Sequence, residues 1–431
     1  MHAQLPGTIF TFLMNVFYNP ALKPIPIYEP FQLKAVYVPY TGAVQNPLSM
    51  ALVGNVTIGN PAVTYRMHFN VPTSMDTVLI GERAGLPDGT ALLNNSLKYV
   101  QKDPSAVLTT GDDVHKITPF LVPSDAFVED FIHTGVNNET IKQTIKVLSN
   151  FSQKSLQDYF ESAPFDGVLS LRTVPFGNTT SFLNTTLIGR NESSVVTFWM
   201  QGKNANDHAL LTFGKFDSDH CNSKWSEVPQ IDHEKGLWTF KIRTISFNQG
   251  TMLPNKTFIQ HMNFTEQKVI ANPYIEGQRN REHLIDDELT YSKDMTDAIS
   301  THPVDQIAAI NIGQASSKAP MKHLHYMAAL TGANKSKKYD SYYSVSCSGH
   351  NYHLLMGLEN NQTLVLAPTD YIIEMRKGEC FLAFQEDPSP VLPGSPTWTL
   401  GGHFFSERCV ALDIKKKTIS FTAAIPNDSA A

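Results

Sequence analysis

Cys347-Ser-Gly-His350 sets a thiol and an imidazole three residues apart, a pair in which a base could raise a thiolate nucleophile. His323-Leu-His325 offers two imidazoles to a metal, and Asp286-Asp287-Glu288 offers three carboxylates. Each has a plainer reading. Cys347 belongs to a set of four with Cys221, Cys380 and Cys409, even in number and without a Cys-x-x-Cys spacing. That pattern favours structural disulfides over a reactive thiol or a zinc site. The two histidines stand in a helical context with no third ligand beside them. The acidic run lies in a polar stretch, residues 250–304, that reads as a solvated insertion. The chain has no Gly-x-Gly-x-x-Gly, phosphate loop, His-Glu-x-x-His or Gly-x-Ser-x-Gly. The reading is no metal and no cofactor.

Asparagine carries a denser pattern. Asn-x-Ser/Thr tripeptides start at Asn55, Asn94, Asn138, Asn150, Asn178, Asn184, Asn191, Asn255, Asn263, Asn334, Asn361 and Asn427. Such acceptors matter only in a secretory lumen, and twelve exceed what an Asn-, Ser- and Thr-rich chain collects by accident. The expected location is extracellular, or the lumen of the secretory or lysosomal pathway. Residues 8–17 (TIFTFLMNVF) have the length of a signal-peptide apolar region but lack a basic start and a small-residue cleavage site.

Composition bounds what must position these residues. The 431 residues are 42% hydrophobic, with 25 Phe and 15 Tyr, and only 17% charged, so sizeable cores are affordable and disorder is not the reading. A net charge of −6 supplies no basic field for nucleic acid, and no apolar run is long enough to span a bilayer. Val63, Tyr65, Met67 and Phe69 fall on one face at period two, which predicts a strand. Residues 195–200, 209–213, 238–247, 363–366 and 418–423 read the same way. Helical spacing is sparse, over Thr140–Leu148, 155–162 and 322–330. Residues 1–46, with five prolines between Pro20 and Pro39, read as an extended leader or degraded signal segment. The class is mostly β.

A series of phrases in one order then narrows the class. Ile58-Gly59-Asn60-Pro61 precedes an alternating strand. Phe165-Asp166-Gly167-Val168-Leu169-Ser170-Leu171 follows, then Leu211-Thr212-Phe213-Gly214-Lys215-Phe216-Asp217 and Leu237-Trp238-Thr239-Phe240. Ala367-Pro368-Thr369-Asp370-Tyr371-Ile372 stands between Cys347 and Cys380, and Trp398-Thr399-Leu400-Gly401-Gly402-His403-Phe404-Phe405 precedes a closing strand. Over roughly residues 47–425 the chain resembles the pepsin-type aspartic peptidases, and the contexts of Cys221 and Cys409 are similar to their nematode branch. The resemblance implies an all-β, bilobal fold: two β-barrel-like lobes, residues 47–216 and 217–425, an interlobe cleft, few short helices and a tail at 426–431. It also implies disulfides Cys347–Cys380 and Cys221–Cys409.

The family's mechanism needs two aspartates sharing a proton, each heading an Asp-Thr-Gly-Ser/Thr turn. Counted without gaps, the first position is Asn70, in Asn70-Val71-Pro72-Thr73; a register shifted by two puts Pro72 there. Asp76-Thr77 lies six residues too far along and is followed by Val78-Leu79. The second position is Asn311, in Asn311-Ile312-Gly313-Gln314, where the glycine survives and the hydroxyl does not. The flap hairpin, with a Tyr and glycines in the family, corresponds to a stretch around Pro119 and Phe120 that has neither. Gly402 and Ser170 replace a usual Asp and a usual Gly. Asparagine has no titratable proton and cannot act as a general base. The expectation is an inactive, monomeric relative whose cleft could hold an extended peptide or protein ligand. The rivals are an active aspartic endopeptidase and a structural or surface-interaction glycoprotein.

Overall fold

A computed structural model describes residues 31–37, 50–59, 62–71, 77–80, 107–110, 113–115, 126–133, 140–148, 165–175, 180–187, 193–201, 208–231, 235–249, 259–261, 300–313, 316–337, 339, 342–348, 352–359, 362–386, 396–406 and 408–425. Strands dominate, in sheets of fourteen, eight and four, with a few short helices between them. The fold is all-β and pepsin-like.

The strand Val63–Asn70 shows how the pattern produces the element. Tyr65, Met67 and Phe69 are buried while Thr64 and Arg66 are exposed, as period two requires. The alternation stops at His68, which is also buried, because the end of the strand is covered on both faces. Val195–Met200 and Arg408–Asp413, an antiparallel pair, are buried along their whole length. That pair joins the two halves of the chain into one sheet. Ser226–Pro229 and Thr418–Ala423 extend it on one side, His208–Phe213 and Phe31–Tyr37 on the other.

Each half repeats one arrangement. In the first, Val63–Asn70 runs parallel to Gly167–Ser170, which pairs antiparallel with Val78–Ile80, which runs parallel to Thr140–Leu148. In the second, Ser300–Ile310 runs parallel to Trp398–Leu400, which pairs antiparallel with Ser317–Ala319, which runs parallel to Phe384–Glu386. Two copies of one four-strand motif, from segments with little sequence in common, are the two lobes.

Several expectations change. Thr140–Leu148, read as helical, is a strand paired along its length with Ala126–His133. Its inward set is Ile141, Gln143, Ile145 and Val147, so the period is two; Gln143 hid it. The leader expected through residue 46 contains Phe31–Tyr37, a strand held between His208–Phe213 and Met50–Ile58. The insertion expected at 250–304 contributes Ile259–His261 and the start of Ser300–Ile310 to the eight-stranded sheet. Residues 322–330 are helical, within Met321–Thr331, which Gly332 ends at φ 65°, a conformation glycine adopts without strain. Residues 155–162 lie outside the described set.

Both disulfides form as the resemblance implies, Cys221–Cys409 and Cys347–Cys380. Arg408 and Asp370 form a buried ion pair. Arg408 donates to Asp370 (2.6 Å), Phe404 O (2.9 Å) and Val365 O (2.8 Å), tying the Pro368–Tyr371 turn to the closing strands. Among the described residues no helix is long and apolar enough to cross a membrane.

Candidate functional site

Asn70 and Asn311 occupy matching places. Asn70 ends a strand parallel to Gly167–Ser170, and its carbonyl accepts the Leu171 N–H at 2.8 Å. Asn311 follows a strand parallel to Trp398–Leu400, and its own N–H donates to Leu400 O at 2.9 Å. In both lobes the asparagine stands where two parallel strands end together.

The turn of the second lobe lies against the strand end of the first. A Cβ built on Gly313 would lie 2.5 Å from Phe69 O, 2.8 Å from Asn70 Cα and 2.8 Å from Asn70 Oδ1. Only glycine fits, and two of those three obstacles are backbone. From the same strand, His68 Nε2 donates to Gly313 O at 2.8 Å; a carbonyl can only accept, which fixes the proton on Nε2. Burial pushes the His68 imidazole down to about 4, against the raising effect of that carbonyl, so it is neutral near pH 7. Phe165 packs beside the ring at 5.1 Å.

The amides differ in one respect that the sequence explains. Asn311 Oδ1 accepts the Gly313 N–H, two residues on, at 3.2 Å. The residue two on from Asn70 is Pro72, which has no N–H to give. Among the described residues the buried Asn70 Oδ1 has no hydrogen-bond partner. One turn satisfies its side-chain oxygen; the other leaves it bare against Gly313.

Neither position carries an ionisable group, and the buried carboxylates among the described residues are engaged elsewhere. Asp166 accepts the Arg66 N–H at 2.7 Å, near the other end of the same strand pair and roughly 13 Å from Ser170 at ~3.3 Å per residue. Asp130 bonds the Phe131 N–H, and Asp217 bonds the backbone and ring of His220. Asp413 caps the turn at Lys415 and Lys416, and Asp370 holds Arg408. Burial, with Asp130 and Asp166 nearby, raises the Tyr65 phenol well above its usual range.

The remaining sequence candidates separate. Thr77 Oγ1 accepts the Ser170 N–H at 3.2 Å, and Ser317 Oγ accepts the Gly401 N–H at 3.0 Å in the matching place of the other lobe. Thr77 is thus spent inside its lobe. Ser170 keeps its side chain in the core, where Oγ meets the Arg172 N–H at 3.4 Å. Gly402 opens the buried 3-10 turn Gly402–Phe405. His323 stacks near Trp398 and His325 near Tyr343, on different sides of their helix. Cys347 is consumed by its disulfide. No group of three or more metal-ligating side chains occurs among the described residues. Pro72, Asp76, Pro119, Phe120, residues 286–288, Gln314 and His350 lie outside them.

His68 is the residue that the sequence reading missed. Its signal was a lone polar side chain between Met67 and Phe69 at an outward position, in a strand otherwise ordinary. No curated protein matches the chain. The family model for eukaryotic aspartyl protease matches residues 284–424, which take in Asn311, Gly313 and the closing strands.

Proposed function

We propose that this chain is a secreted, glycosylated, pepsin-like protein without peptidase activity, and that it uses the space between its lobes to hold an extended peptide. The observation that carries the reading is the pair of strand ends. Each sits where a carboxylate would be required, and each presents an asparagine. An amide neither takes a proton from water nor gives one to a scissile carbonyl at accessible pH. The resemblance to the pepsin-type fold supports the second half of the reading, since an interlobe cleft of that kind can recognise an extended chain by its main-chain groups. The four cysteines, both pairs bonded, fit an oxidising compartment.

The test is a peptide-library incubation of the unmutated protein between about pH 2 and 7, the span over which a proton-sharing carboxylate pair works. The expected outcome is retention of a subset of peptides, all intact. Cleavage blocked by a transition-state inhibitor of aspartic peptidases would establish the endopeptidase alternative. Neither retention nor cleavage would leave the structural glycoprotein reading.

A further inference from the structure

Three of the twelve acceptor asparagines fall among the described residues, and their surroundings differ. Asn55 is exposed on the strand Met50–Ile58, with exposed Arg66 across from it on the next strand. Its hydroxyl partner Thr57 faces the same side, where Thr57 Oγ1 meets Thr64 Oγ1 at 3.0 Å. Asn334 is exposed on Asn334–Lys335, the edge strand of the four-stranded sheet. Its amide Nδ2 makes only a long contact of 3.3 Å to Gly332 O. Asn184 is different. It sits in the short helix Phe182–Leu187 with its amide Oδ1 buried, and the Thr186 hydroxyl of its tripeptide is buried and donates to Phe182 O at 2.6 Å.

We infer that Asn55 and Asn334 carry N-linked oligosaccharide in the folded protein and that Asn184 is bare. The inference rests on the secretory reading above. The donor is a lipid-linked oligosaccharyl pyrophosphate. Asn Nδ2 forms a bond to the sugar C1 as the C1–O bond to pyrophosphate breaks; the lipid pyrophosphate leaves with that electron pair, and the amide gives up one proton. A glycan on Asn55 or Asn334 projects into solvent at no cost to packing. One on Asn184 would have to draw a half-buried amide out of a helix packed on the lobe core. At Asn334 the sugar also shields an unpaired strand edge, an otherwise exposed template for association.

The test expresses the full chain in animal cells in two arms, with its own N-terminus and with an appended secretion signal. Secreted protein is treated with a glycosidase that converts glycosylated Asn to Asp in isotope-labelled water, then mapped by mass spectrometry. In the signal-fused arm, label at Asn55 and Asn334 is expected to exceed that at Asn184 at least about tenfold. Labelled Asn184 in folded protein, or bare Asn55 or Asn334, overturns the inference. If the fused arm shows the pattern but the native chain never enters the pathway, the secretory reading fails while the sorting of sites stands. Asn55→Gln and Asn334→Gln should each remove one glycan's mass, and Asn184→Gln none.

Discussion

His68 Nε2 donates to the carbonyl of Gly313, 2.8 Å away and 245 residues along the chain. This bond joins the strand Val63–Asn70 of one lobe to the turn of the other, and both groups are withdrawn from water. It ties the stability of the lobe contact to the protonation of one ring.

The pH dependence follows from the direction of the shift. An imidazole held at about 4 when folded, against about 6.5 when unfolded, makes the unfolded chain the better proton acceptor. Its contribution is absent above pH 6.5, and stability is lost as pH falls from there toward 4, by about 3 kcal/mol in all. His68→Gln retains a donor for Gly313 and has no titration, so its thermal midpoint should vary less over that window than the parent's. Parallel midpoint-against-pH curves for the two proteins would show that His68 is not the responsible group.

Gly313→Ala should destabilise by about 1–3 kcal/mol or more, the range for forcing atoms into a packed site. Two of the obstructing atoms are the backbone Phe69 O and Asn70 Cα, which cannot rotate away as a side chain could. Denaturant unfolding measures the change. A neutral Gly313→Ala would mean that the two turns separate freely.

The two asparagines should respond in opposite senses to the same substitution. Asn311→Leu strands a Gly313 N–H and should cost about 1–3 kcal/mol, the penalty for an unsatisfied buried donor. Asn70→Leu removes an oxygen that has no partner, and should be neutral or stabilising by up to about 1 kcal/mol. Equal destabilisation by both, read from urea midpoints, would contradict the asymmetry assigned to Pro72.

Arg408 and Asp370 have no exposed side-chain surface. Removing one charge leaves the other buried and unpaired, so Arg408→Met or Asp370→Leu should each cost about 3–5 kcal/mol. The double variant should recover much of that loss, since an apolar pair of similar volume needs no desolvation. A double-mutant cycle with no coupling would show the pair to be energetically idle.

Much of this arrangement could be read from the chain, and the failures have physical reasons. Tyr65, Met67 and Phe69 announced their strand because one face is buried and one is wet for most of its length. Thr140–Leu148 did not, because Ile141, Ile145 and Leu148 satisfy a helical repeat while the true inward set includes Gln143, whose buried amide is reached by Thr180 Oγ1 at 2.8 Å. Asn311 was legible through the glycine that survives beside it. The bare oxygen of Asn70 was implicit in Pro72, but its burial depends on Gly313, and no local pattern connects residues so far apart. His68 was hidden for the same reason.

The last prediction concerns what restoring the acids would achieve. Asn70→Asp combined with Asn311→Asp supplies both carboxylates, yet cleavage should be absent or a trace. The acid at position 311 would receive the Gly313 N–H, which favours its charged form. The acid at position 70 would be buried with no such donor, because Pro72 has none, which favours its neutral form. The proton affinities therefore split as a working pair requires, but the oxygen at position 70 is buried beside Gly313, where there is no room for so much as a Cβ. A water between the two acids would lack the positioning that makes attack nearly unimolecular. The stretch around Pro119 and Phe120, proposed as the flap, has neither tyrosine nor glycine in its sequence. Adding Pro72→Gly and Gln314→Thr returns an N–H to the first turn and a hydroxyl to the second, so the quadruple variant should exceed the double one. The assay is peptide-library cleavage at acidic pH with a transition-state inhibitor as control. Full activity from the double variant would show that the carboxylates alone were missing and that Pro72 is harmless. No activity from the quadruple variant would move the defect to the flap.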